Sequence, residues 1–362
     1  MKSSFKIFSI SGIPVELHIS FLLLILVIFL FAFLGIFTLY VAFLIVLLFV
    51  TVVIHEFSHS YVAKRYGVPV ERIILLPIGG VSAMGEIPKN PGQELNIAIA
   101  GPLTNIIIAF ICLLGLFITG GIGSLSISSF FISNTPNADI NLFLSNFLGI
   151  NLVLGVFNLL PAFPMDGGRV LRAFLARKMS YVKATKTAAS IGKQFAILMA
   201  IFGIFFNFIL ILVAIFIYIG ADQEYKAIMV SSMLEGLLVK DIMTRNVATL
   251  TPDTPVTEAL NIMFKQRHMG YPVMEGNNLV GIITFDDVSR VPEDKRNFPV
   301  KDIMSKNLIL ANPEEPVFNT FEKISRNNIG RLPVTENGRL VGIISKTDIM
   351  KVLEMMDAES AR

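Results

Sequence analysis

The chain has 362 residues, 54% of them hydrophobic, and a formal net charge of +3. So small an excess of Lys and Arg argues against nucleic-acid binding, and a lone Cys112 rules out an intrachain disulfide and a four-cysteine zinc site. Charge is unevenly spread: 20 of the 57 charged residues precede residue 221, and the other 37 fall in the last 142 residues. The chain therefore divides into an apolar part, read as membrane-embedded, and a polar part, read as soluble.

In chain order, apolar runs at 19–38, 40–64, 96–119, 141–162, 187–204 and 206–220 predict six transmembrane helices, the last two short and able to bend near Asn207. The first run is longer than the core of a signal peptide and lacks a processing site, so no cleavable leader is expected. Lys2, Lys6, Lys64, Arg65, Arg72, Lys89 and the basic stretch from Arg169 to Lys193 lie on one side of these crossings. The connections near 35–40 and 119–140 hold no Lys or Arg. The positive-inside rule then puts both termini and the soluble tail in the cytosol, on a multi-pass protein of the cell membrane.

The second run carries His55-Glu56-Phe57-Ser58-His59. Residues four apart share one face of a helix, so His55 and His59 can hold one Zn²⁺ with Glu56 beside a water. A charge in hydrocarbon costs ~2.5–3.5 kcal/mol on insertion scales, so Glu56 at this depth points to a function. A catalytic zinc takes three protein ligands and keeps one position open. His18, before the first run, and His268, in the tail, read as ordinary polar residues. Glu16, Asp139, Glu71, Glu86 and Glu94 fall at boundaries or in loops, which leaves Asp166. It closes the run Asn158-Leu159-Leu160-Pro161-Ala162-Phe163-Pro164-Met165-Asp166-Gly167-Gly168. Two prolines and two glycines make this backbone irregular at membrane depth, which is tolerated only beside protein or a water-filled cavity. Asp166 is then either the cap of the next helix, with Arg169 and Arg172 as phospholipid anchors, or the third ligand. Its pairing with an intramembrane His-Glu-x-x-His favours the ligand. Asn158 falls at a depth similar to His55, in a crossing of the same direction.

The two motifs, their order and the six-crossing core resemble the site-2 protease family of intramembrane zinc metalloproteases over residues 1–222. The resemblance implies that His55, His59 and Asp166 bind one zinc and that Glu56 is the catalytic acid/base. It implies further that Asn158 holds the substrate carbonyl or its oxyanion. Gly79, Gly80 and Val81 would belong to a small membrane-associated β segment that receives the substrate. The implied activity is a zinc endopeptidase, embedded in the lipid bilayer, that cleaves single-span membrane proteins within or near their transmembrane helices.

After a linker over 223–239, residues 240–292 and 301–353 repeat one another. Lys240-Asp241-Ile242-Met243 recurs as Lys301-Asp302-Ile303-Met304, and Leu279-Val280-Gly281-Ile282-Ile283-Thr284 as Leu340-Val341-Gly342-Ile343-Ile344-Ser345. Each unit reads as a short strand, a helix (256–266 and 317–326), two strands and a helix. The pattern resembles a tandem pair of cystathionine-β-synthase-type (CBS) domains. That resemblance implies a regulatory adenine nucleotide (ATP, ADP or AMP) held by Thr284 with Asp287 and by Ser345 with Asp348, and a homodimer formed through the helices of the pair. Both Asp residues equally suit helix caps. The expected fold class is a polytopic α-helical membrane protein of six transmembrane helices with a small β segment, followed by an α/β CBS-pair domain. A CBS-regulated membrane transporter or channel is the alternative. It lacks support from any repeated membrane half, and the polar membrane residues gather in one constellation.

Overall fold

A computed structural model describes residues 4–85, 88–125, 139–292 and 296–360. Lys2, Glu86 and most of the connection expected near 119–140 lie outside these residues. The chain forms two compact units, Met1–Lys226 and Ala227–Arg362.

The first unit opens with a hairpin. β1 (Ser4–Ile10) and β2 (Ile13–His18) pair antiparallel across a Ser11–Gly12 turn. His18 caps α1 (Ile19–Phe33), its Nδ1 accepting from the Ser20 N–H. This helix has 15 residues, a length of ~22 Å, and so is shorter than the ~30 Å hydrocarbon core. It stops where Gly35 enters the left-handed region at φ +73°. The Gly35 N–H donates to Ala32 O and the Ile36 N–H to Phe31 O, which is a Schellman cap. The first apolar run is therefore helical to Phe33 rather than to residue 38.

α2 (Leu39–Arg65) follows, then β3 (Val70–Leu76), β4 (Gly79–Met84), α3 (Pro91–Ile118), α4 (Ile140–Asn158), α5 (Asp166–Ala176), α6 (Tyr181–Phe206) and α7 (Phe208–Met233). Five of these helices, α2, α3, α4, α6 and α7, are long and apolar enough to cross a membrane. The strands lie in the order β1-β2-β3-β4, parallel between β2 and β3 and antiparallel elsewhere, so β4 forms an edge. α3 begins at Pro91, ahead of the apolar run, because Asn90 Oδ1 accepts from the Gly92 and Gln93 N–H groups and proline suits the first helical position. α6 and α7 part at Asn207, where the bend is expected; its backbone is extended and its Oδ1 accepts from the Ile209 N–H. α7 continues helical through 223–233, over residues expected as a linker. Asp222 there pairs with Lys193 at 2.5 Å and Lys226 at 2.7 Å.

Arg172 on α5 is 2% exposed. Its Nε and Nη2 donate to Glu94 Oε1, each at 2.6 Å, and its Nη1 to Glu224 Oε1 at 2.7 Å. The guanidinium also lies over the rings of Tyr181 and Phe163. The alternative reading of Arg172 as a phospholipid anchor does not hold: the side chain is buried and its charge is neutralised inside the protein.

In the second unit, α8 (Val239–Ile242) and α9 (Val256–Gln266) precede the hairpin of β5 (Gly270–Glu275) and β6 (Asn278–Thr284), which leads into α10 (Phe285–Ser289). α11 (Val317–Arg326), β7 (Arg331–Glu336), β8 (Arg339–Ser345) and α12 (Lys346–Ser360) repeat that order. The short strand expected before each helix is reduced to one parallel bridge, Leu250 to Val273 and Ala311 to Val334. The repeats exchange their openings. Met243 packs on Gly342 of β8 and Met304 on Gly281 of β6, each so closely that a side chain at the glycine would collide with sulfur. The Thr244 N–H donates to Ile343 O and the Ser305 N–H to Ile282 O, both at 2.9 Å.

Replacing Arg172 by Met leaves Glu94 as an uncompensated buried charge. We expect a loss of about 3–5 kcal/mol, read as a lower midpoint of thermal unfolding in detergent; an unchanged midpoint would mean that the ionic cluster adds nothing to stability.

Candidate metal centre and its cavity

α2 carries His55 and His59 on one face, 4% and 5% exposed. α3 packs directly beneath them, and Gly101 makes this approach feasible: a Cβ there would lie 2.6 Å from His55 Nε2 and nearer still to His59 Nε2. α3 also supplies the hydrogen-bond acceptors behind the rings. His59 Nδ1 donates to Ile97 O at 2.7 Å, and His55 Nδ1 to Asn105 Oδ1 at 3.1 Å. Both acceptors are oxygens, so the ring protons sit on Nδ1 and the Nε2 lone pairs face outward.

Asp166, the first residue of α5, meets those lone pairs. Its Oδ2 lies 3.2 Å from His55 Nε2 and 3.1 Å from His59 Nε2, and the two Nε2 atoms are 3.1 Å apart. Tetrahedral zinc with bonds of ~2.0–2.1 Å holds its ligands about 3.3–3.4 Å from one another. Three lone-pair donors at such separations repel unless a cation lies among them, so this donor set fits Zn²⁺. Among the described residues, His55, His59 and Asp166 form the one cluster of three or more His, Cys, Asp or Glu able to hold a metal.

The three open on a cavity of about 670 Å³ that is also lined by Glu56, Asn158, Gly79, Gly80, Val81 and Arg169. All eight residues predicted for the membrane site thus share one space. Glu56 makes no hydrogen bond or ion pair with any described residue. β4 runs against it closely enough that a Cβ on Gly80 would lie 2.6 Å from Glu56 Cγ. Asn158 donates one Nδ2 hydrogen to Leu154 O at 3.0 Å, which leaves its second N–H and its Oδ1 for a ligand.

Sequence reasoning missed Ile97, Gly101, Asn105 and the cavity position of Arg169. Asn105 carried a legible signal, an amide inside a long apolar helix. The two other histidines are ordinary: His18 caps α1, and the His268 ring packs edge-on against Tyr271.

In the second unit, Thr284 and Asp287 form a reciprocal cap: the Thr284 N–H donates to Asp287 Oδ2 at 2.9 Å and the Thr284 hydroxyl at 2.6 Å, while the Asp287 N–H donates to Thr284 Oγ1 at 3.4 Å. Ser345 and Asp348 repeat this arrangement. A cleft of about 400 Å³ is lined by Thr284, Asp287, Asn307, Asn328 and Arg331. Ser345 and Asp348 are not among its walls. Burial holds the Arg331 guanidinium below its ordinary pKa, against the opposing charge of Asp348.

The model of peptidase family M50 matches residues 43–199, and that of the CBS domain matches 239–294 and 300–355. The chain is 43% identical to a zinc metalloprotease of Methanocaldococcus jannaschii over 358 residues, 99% of this chain and 98% of that protein. It is 29% identical to the protein Rip3 of Mycobacterium tuberculosis over 327 residues, 86% of this chain and 80% of that one. Among solved structures, the site-2 protease from Methanocaldococcus jannaschii covers 61% of this chain and 95% of its own, at 49% identity and a TM-score of 0.43.

Exchanging Asn105 for Leu removes the acceptor behind His55 with little change of shape. Zinc affinity, measured by competition with a chelating dye, should fall about 10–100-fold; parental affinity would show that His55 is oriented without it.

Proposed function

The chain belongs to peptidase family M50, the site-2 protease family of zinc metalloproteases, with a tandem CBS pair, and on that premise we propose that it hydrolyses peptide bonds within or near the transmembrane helices of single-span membrane proteins. The observation that carries this reading is the convergence of His55 Nε2, His59 Nε2 and Asp166 Oδ2 in the cavity that Glu56 also lines.

His55, His59 and Asp166 would hold one zinc per chain, which would supply a Lewis acid to lower the pKa of a water and polarise the scissile carbonyl. Glu56 accepts a proton from the attacking water and returns it to the departing amide nitrogen. The N–H that Asn158 keeps for a ligand stabilises negative charge on the carbonyl oxygen. A helical substrate hides its peptide groups in its own hydrogen bonds and must unwind before attack. The open edge of β4 at Gly79, Gly80 and Val81 offers the exposed stretch new partners by strand addition.

The reading includes six crossings, with α1 as the short sixth in a locally thinned bilayer. It also includes cytosolic termini and a cytosolic CBS pair in the cell membrane, as the distribution of Lys and Arg supports. The CBS pair takes an adenine nucleotide as regulator, with Arg331 facing phosphate and Asp287 the ribose. A nucleotide shifts activity only by its differential affinity for two states of the protein.

The Glu56→Gln variant should keep its zinc and lose about 10²–10⁴ in the rate of cleavage of a co-reconstituted single-span substrate, whereas Asp166→Ala should lose both. Cleavage that survives either change sinks the protease reading. Titration calorimetry with ATP, ADP and AMP tests the tail: binding should weaken at least about tenfold, or 1.4 kcal/mol, in Asp287→Asn, and heat-silent titrations of the parental protein would remove the nucleotide from the scheme.

A further inference from the structure

Arg169 stands on α5 one helical turn beyond Asp166, a spacing that shares a face. It lines the cavity that Glu56, Asn158 and Asp166 also line. It makes no hydrogen bond or ion pair with any described residue, unlike Arg172, which is fully committed to Glu94 and Glu224. A guanidinium on the cavity wall that is hydrogen-bonded or ion-paired to no described residue is available to an anionic ligand.

Hydrolysis generates one there. The amide C–N bond breaks and a C–O bond forms from water; one water proton travels through Glu56 to the nitrogen, and the second passes from the new acid to the freed amine, leaving a carboxylate and an ammonium. A neutral group thus becomes anionic where none existed. Beyond the metal that His55, His59 and Asp166 would hold, the cavity offers this charge Asn158, which is neutral and already donates one N–H to Leu154 O. A guanidinium offers a charge-assisted, two-pronged match to a carboxylate.

We propose that Arg169 is a further catalytic residue, which hydrogen-bonds the scissile carbonyl oxygen as it gains charge and then the new C-terminal carboxylate of the product. This rests on the hydrolytic reading above. Because the anion is absent from the bound substrate, Arg169 acts more on kcat than on KM.

The test uses the full-length protein with a single-span substrate. Arg169→Gln should lower kcat by about 10²–10³ with KM nearly unchanged and zinc content intact, and Arg169→Lys should recover part of the loss. A product-like peptide with a free carboxylate should inhibit the parental protein at least about tenfold better than its C-terminal amide. That preference should narrow at least severalfold in Arg169→Gln, where the metal alone would retain some of it, and persist in Arg169→Lys. A parental kcat in Arg169→Gln overturns the proposal. So does a carboxylate preference undiminished there, or loss of zinc together with rate, which would make Arg169 structural. The Glu56→Gln variant separates the two readings: it should bind the carboxylate peptide normally, and retained cleavage by it would fail the hydrolytic reading instead.

Discussion

Three metal-ligating atoms brought within 3.2 Å of one another are the constraint around which the membrane unit is built. Two belong to His55 and His59 of α2 and the third to Asp166 of α5. The helix between them in sequence does the organising. Glu94, Ile97, Gly101 and Asn105 fall on α3 at intervals of three and four residues, a single stripe along its surface. Glu94 ties down Arg172 and with it the α5 helix that begins at Asp166; Ile97 and Asn105 hold the imidazole protons; Gly101 removes the side chain that would push the rings away.

The sheet solves a different problem. An unpaired strand edge usually invites unwanted pairing and is shielded by charge or by short length. Here the outer strand β4 keeps Gly79 and Gly80 next to the catalytic-base candidate, and Val81 is 47% exposed. Backbone hydrogen-bonding groups are thereby held ready beside a carboxylate that makes no hydrogen bond or ion pair with any described residue. The closeness of β4 to α2 depends on Gly80, since even a methyl group there would collide with Glu56.

Spacing and composition were enough to bring attention to His55, Glu56, His59, Asp166 and Asn158, because each is a polar side chain in an apolar setting whose desolvation needs a reason. The helices over 256–266 and 317–326 were equally legible from their amphipathic periodicity. Hydropathy did not reveal that α1 stops at Phe33, because Leu34, Ile36 and Phe37 carry the apolar run onward; what ends the helix is the handedness of the backbone at Gly35. Nor could the basic stretch after Asp166 tell Arg172 from its neighbours. A lysine- and arginine-rich loop reads as surface, and only the partners contributed by α3 and α7 make burial of that one charge affordable. For Thr284 and Asp287, the local spacing is satisfied by a capping box alone, so sequence leaves the nucleotide reading open there. The cleft with Arg331 on its wall arises from residues distant in the chain.

The traded methionines of the tail make the duplication indivisible. The interior around Val334 and Ile344 is completed by Ile242 and Met243 from the other copy, and that around Val273 and Ile283 by Ile303 and Met304. Neither copy owns a finished interior, so a gene shortened by one of them would encode a half with its glycine-bearing strand stripped of cover. Each half therefore depends on the other for the cover of its own sheet.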